Sequence, residues 1–142
     1  MITFEELNEQ NDKITQLSNV LEQLIQDRLT CDNPVVSDLF FRYRDEVKQH
    51  LDVQDKQIFA DLLASKDPSV NKTVKLFISG SSEIKRIFDR YLHHWCKKGQ
   101  MNIGDHKKFV VETQEMFALV LTRIQDEVEN LYPMIRKVQS AA

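Results

Sequence analysis

Residues 67–99, DPSVNKTVKLFISGSSEIKRIFDRYLHHWCKKG, carry the pattern that decides the fold. Val70, Val74, Phe77, Ser81, Ile84, Phe88, Tyr91 and Trp95 recur in steps of four and three, the spacing that stacks side chains on one face of an α-helix. Only Ser81 interrupts the apolar run. Asp67 before Pro68 fits a helix N-cap followed by proline at the first helical position, where the missing N–H costs nothing. At the other end Lys97-Lys98-Gly99 combines basic charge with a glycine suited to a C-terminal cap. Gly80 falls inside the pattern, where glycine costs about 1 kcal/mol relative to alanine, so a local kink is expected there.

Three further segments flank this one with the same period. The first opens at Thr3, which has Glu6 three residues later in the spacing of a capping box. Its seam reads Phe4, Leu7, Asn11, Ile14, Leu17, Leu21 and Ile25, and is apolar except at Asn11. Asn33-Pro34 repeats the cap-and-proline signal and opens a second helix expected to run to Leu63, with the seam Val36, Phe40, Tyr43, Val47, His50, Gln54, Ile58 and Leu62. Gly104-Asp105 opens the last. Its seam is expected to run Phe109, Thr113, Phe117, Val120, Ile124, Val128, Leu131, Ile135 and Val138, with Pro133 bending the final turns. Four amphipathic helices joined by short connections predict an all-α, up-down-up-down antiparallel four-helix bundle, one domain over residues 1–142, with the shallow left-handed crossing that a mean step near 3.5 favours.

Composition limits function. The chain has 142 residues with only three glycines and three prolines, 42% hydrophobic and 29% charged, which argues against disorder and against a many-stranded β fold. A net charge of −3 gives no clustered basic surface for nucleic acid. The first residues do not read as a secretion signal and no run is apolar enough to span a membrane. Cys31 and Cys96 form no disulfide framework, so free thiols in a cytoplasmic protein are expected.

Two segments resemble bacterial hemerythrin-like proteins, the HHE cation-binding family of four-helix bundles that hold a di-iron centre. His50-Leu51-Asp52-Val53-Gln54 with Ile58-Phe59 resembles the family's His-x-x-x-Glu helix, and Ile124 to Tyr132-Pro133 is similar to its last metal-binding helix with a Leu-Tyr-Pro ending. The resemblance implies one His from the first helix, His-x-x-x-Glu from the second and His-x-x-x-His from the third. From the fourth it implies a His with a carboxylate five residues on. Laid onto this chain, those places fall at Asn11, at His50 and Gln54, at Phe77 and Ser81, and at Arg123 and Val128. Only His50 keeps a ligand. Iron pairs need several imidazoles and bridging carboxylates, so no cofactor is expected, di-iron included. Asn11, His50, Gln54 and Ser81 are expected instead to hydrogen-bond one another as a polar cluster left at the former site.

Other conspicuous residues have ordinary readings. His93 and His94 point about 100° apart and belong on the rim beside Trp95. The acidic run Asp126-Glu127 with Glu129 reads as a solvated face, and Ser81 and Ser82 have no neighbouring base for nucleophilic chemistry. The expected function is therefore that of a non-enzymatic cytoplasmic regulatory or adaptor protein acting through protein contacts, with Phe41, Val111 and Leu119 as candidate contact points and a second copy of the chain among the partners considered. The alternative is a metal, oxygen or small-ligand sensor that keeps a reduced site around His50.

Overall fold

A computed structural model describes residues 2–141. Each long helix begins where its cap was read. Thr3 accepts from the Glu6 N–H at 3.1 Å to open α1 (Phe4–Leu24). Asn33 caps α3 (Pro34–Val53), Asp67 caps α5 (Pro68–Trp95), and Asp105 caps α6 (His106–Asp126), each through its own side chain. These caps matter because the first-turn N–H groups of a helix have no partner within it. The first connection adds a one-turn helix, α2 (Arg28–Cys31), capped by Asp27.

Helix α3 continues through a π-helical turn, Gln54–Ile58, into α4 (Phe59–Leu63). Helix α6 likewise passes through a π turn, Glu127–Leu131, into α7 (Tyr132–Ala141). The second π turn closes with the Tyr132 N–H on the Glu127 carbonyl, immediately before Pro133, which has no N–H to continue the ladder. A widened turn thus stands where a simple bend was expected. Helix α5 is α-helical throughout, Gly80 included. Lys97-Lys98-Gly99 is not a helix cap either: Cys96–Lys97 (β1) pairs with Gln100–Met101 (β2) in a small hairpin. Its turn residues Lys98 (φ 53°) and Gly99 (φ 73°) are both left-handed, the requirement of a tight two-residue turn.

Contacts between helices establish the antiparallel order. Gln10 meets His50 near the end of α3, while His106 at the start of α6 meets the Ile25 carbonyl just past α1. Phe40 lies against Tyr91 and Tyr43 against Phe88, pairing early α3 with late α5, and Trp95 packs on Phe109. Two apolar clusters fill the bundle. The larger contains Ile14, Phe40, Tyr43, Phe88 and Phe117, and the smaller contains Leu7, Phe59, Val74, Phe77 and Leu131. Along every helix the residues between them are polar and buried: Asn11, His50, Gln54, Ser81, Arg123 and Glu127.

Two seam expectations need correction. Val128, placed on the core seam by periodicity, is 47% exposed, and Glu127, placed on a solvated face, is fully buried. The electrostatic partners described below hold Glu127 inward, and the widened turn carries the core line from it to Leu131 and Tyr132. Of the proposed contact points only Val111 is exposed, whereas Phe41 and Leu119 pack against the larger cluster. Among the described residues no helix is long and apolar enough to cross a membrane.

Candidate functional site

The polar layer is organised by Glu127. Its Oε1 lies 2.7 Å from His50 Nε2 and its Oε2 accepts from Arg123 Nε at 2.8 Å. Arg123 and Glu127 are one helical turn apart on the same rod, so the guanidinium reaches its carboxylate with little strain. The rest of the guanidinium is also held: Nη1 donates to the Phe77 carbonyl at 3.1 Å, Nη2 to Gln54 Oε1 at 3.3 Å, and the group lies 4.8 Å from the Phe77 ring centroid. Gly80 explains how the cation enters. A β-carbon there would stand 2.9 Å from Arg123 Nη1, so the glycine in mid-helix leaves room for a guanidinium against the α5 backbone.

His50 faces oxygens on both sides of its ring. Nδ1 stands 2.8 Å from Gln10 Oε1, and Nε2 carries hydrogen because a carboxylate can only accept. The Gln54 amide nitrogen, 3.1 Å from Nε2, is then a close contact between two donors. Each ring nitrogen already has an oxygen within hydrogen-bond distance.

The four residues expected to bond one another divide into separate groups. His50 and Gln54 do meet, and both belong to the Glu127–Arg123 network. Asn11 does not reach them; its Nδ2 donates to the Tyr132 hydroxyl at 2.8 Å, and its Oδ1 is buried without a partner. Tyr132 lies close enough to Glu127 to feel its charge, so Asn11 approaches the layer only by way of the phenol. Ser81 turns away altogether and donates to Asp55 at 3.2 Å, beside the Lys85 ammonium that also binds Asp52. The physical reason is reach: a serine hydroxyl is short, and the arginine occupies the space between α5 and His50. Sequence reasoning missed Gln10, Glu127 and Tyr132. The one available signal was the four-residue spacing of Arg123 and Glu127, which obliges both to face the same way.

Burial alone would raise the Glu127 carboxyl, but the hydrogen bond and charge of His50, followed by those of Arg123, outweigh it and hold the group below its ordinary range. The Tyr132 phenol is pushed up, first by burial and then by the charge of Glu127. The layer is therefore a buried carboxylate stabilised by a guanidinium and an imidazole.

That donor set does not fit the iron pair implied by the family resemblance. It contains one carboxylate already engaged on both oxygens, one imidazole without a free nitrogen, and a fixed cation where the fourth helix should supply a histidine. A cation entering beside Arg123 would meet direct repulsion in a medium that screens it poorly. Among the described residues no group of three or more His, Cys, Asp or Glu is arranged to hold a metal. Elsewhere, His93 and His94 are exposed at the rim, with His94 edge-on to Trp95 at 4.5 Å between ring centroids, and Cys31 and Cys96 are free thiols.

No curated protein and no solved structure matches the chain. The family model of the hemerythrin HHE cation-binding domain matches residues 3–135, nearly the whole described bundle and every helix that supplies the polar layer. The chain belongs to the hemerythrin HHE cation-binding domain family.

Proposed function

We propose that this protein is a non-enzymatic regulatory or adaptor bundle that works without metal, its family's cation being replaced by the guanidinium of Arg123. One observation carries the reading: Arg123 takes the fourth-helix ligand place, is 8% exposed, and binds the buried Glu127 carboxylate. The cation that organises the layer is then part of the chain itself, and no external ion is needed to balance Glu127. Activity passes to the surface, in the cytoplasm and through contacts with protein. Against the alternative, a sensor with a reduced site around His50, stands the engagement of both ring nitrogens.

Reconstitution with ferrous iron, anaerobically and then in air, tests the reading. Metal analysis is expected to find no stoichiometric iron, the protein to remain colourless, and the thermal midpoint to stay unchanged, since a ligand bound only by the folded state must raise it. Stoichiometric iron with an oxo-bridge charge-transfer band would overturn the proposal. A rise in midpoint with one equivalent of a divalent ion would favour the sensor.

A further inference from the structure

Arg123 belongs to the polar layer and also lines a cavity of about 590 Å³ between α5 and α6. The apolar walls of that cavity are Leu76, Phe77, Ile84, Ile87 and Leu119, and Gly80 lines it beside Arg123. A guanidinium carries five N–H groups in a fixed plane. Three of those on Arg123 have acceptors: Glu127 Oε2 at Nε, the Phe77 carbonyl at Nη1 and Gln54 Oε1 at Nη2. Among the described residues, the second hydrogen on each terminal nitrogen has none. Unused donors stand out on a side chain that is only 8% exposed, because buried polar groups are as a rule paired. Nη1 lies 2.9 Å from the place of a Gly80 β-carbon, so the bare glycine leaves that nitrogen uncovered on the wall of the cavity.

Charge limits what can answer these donors. The guanidinium is already matched by Glu127, and the exposed carboxylates of Glu83 and Asp126 also line the cavity. Arg86 stands 3.7 Å from Glu83, but Asp126 has only the neutral Asn130 amide, at 2.6 Å. An anion would gain a cation already in use and meet the charges of Glu127 and Asp126, while a cation would meet Arg123 itself. A neutral carbonyl oxygen accepts from a guanidinium without either repulsion. The surrounding apolar side chains call for an apolar body on the same molecule.

We infer that the cavity at Gly80 binds a small neutral molecule with an apolar body and a carbonyl group, such as a ketone, ester or amide, whose oxygen accepts from the terminal N–H groups of Arg123. Gly80 is the specificity-determining position, since any side chain there would stand between the donor and the ligand. The site depends on where Arg123 lies and not on a regulatory role for the protein, so iron reconstitution and ligand titration report on separate questions.

Three benzene derivatives of similar size test it: acetophenone, ethylbenzene, which lacks the oxygen, and benzoate, which adds a charge. Each is titrated into isotope-labelled protein while the Gly80 amide and Arg123 Nε–H signals are followed by NMR. Acetophenone is expected to shift both signals to saturation and to bind roughly tenfold more tightly than ethylbenzene, as a hydrogen bond to a charged donor allows. Benzoate is expected to bind more weakly than acetophenone. Gly80→Ala, with a β-carbon against Nη1, is expected to bring acetophenone down to the affinity of ethylbenzene. Leu76→Glu, at a position 67% exposed and outside the polar layer, is expected to leave the fold intact and to weaken acetophenone and ethylbenzene alike. The assignment is overturned if acetophenone moves neither signal, if ethylbenzene or benzoate binds as tightly, or if neither variant changes the affinity.

Discussion

The level of His50 and the level of Tyr43 lie about 10 Å apart along α3, and they bury polar atoms in different ways. At His50 the bundle commits a carboxylate, a guanidinium and an imidazole to one another, with distances of 2.7 and 2.8 Å on the two sides of Glu127. At Tyr43 a single phenol sits among aromatic rings, 5.0 Å from Phe117 and 6.2 Å from Phe88 between centroids, with its hydroxyl unpaired. Shape dominates the second level, since an orphaned hydroxyl costs less than the ring contributes by filling the core. Charge dominates the first: none of its members can be buried alone, so each depends on the presence of the others.

That dependence sets the largest expected effect. Glu127→Leu leaves Arg123 and His50 buried without their carboxylate and should cost about 3–5 kcal/mol in urea unfolding. Replacing the whole group, as His50→Leu with Arg123→Met and Glu127→Leu, should recover most of that loss, because a well-packed apolar substitute carries no unpaired charge. A single substitution that costs below about 1 kcal/mol, or a triple variant as unstable as the single one, would show that the layer is not a coupled unit.

Acid should separate the two levels more gently. The folded-state pKa of Glu127 lies below its ordinary 4.5, so its contribution is fully present above that value and is lost as pH falls through the folded-state value. Unfolding free energy followed downward from pH 7 should fall more steeply below pH 4.5 in the wild type than in Glu127→Gln. The comparison with Glu127→Gln removes the contributions of other carboxylates, such as Asp27 and Asp67, whose pKa values are also lowered. Equal slopes would mean that Glu127 is no better stabilised folded than unfolded.

The bundle itself was legible because its signals are local. Thr3, Asn33-Pro34, Asp67-Pro68 and Asp105 each satisfy or dispense with a first-turn N–H, and each opens a helix in the structure. The level of the polar layer was legible too, since Asn11, His50, Gln54 and Ser81 interrupt seams that are otherwise apolar. Its chemistry was not. A constant helical step puts Val128 inside and Glu127 outside, and the π turn that begins at Glu127 leaves no mark in residue type. Nor does periodicity show that Gly80 makes room for a side chain from another helix, because that contact joins positions 80 and 123 across the bundle.

The smallest expected effect concerns Tyr43. Its hydroxyl is fully buried, has no hydrogen-bond partner, and its pKa is pushed far up by burial alone, the signature of a polar atom that the core tolerates without using. Tyr43→Phe keeps the ring against Phe88 and Phe117 and removes only the orphaned atom, so the protein should gain about 1 kcal/mol or remain unchanged. The same change at Tyr132, whose hydroxyl accepts from Asn11 Nδ2, removes a hydrogen bond that is made and provides the control. A loss of about 1 kcal/mol or more at Tyr43 would mean that its hydroxyl is satisfied by a buried water, and that both levels obey the same rule.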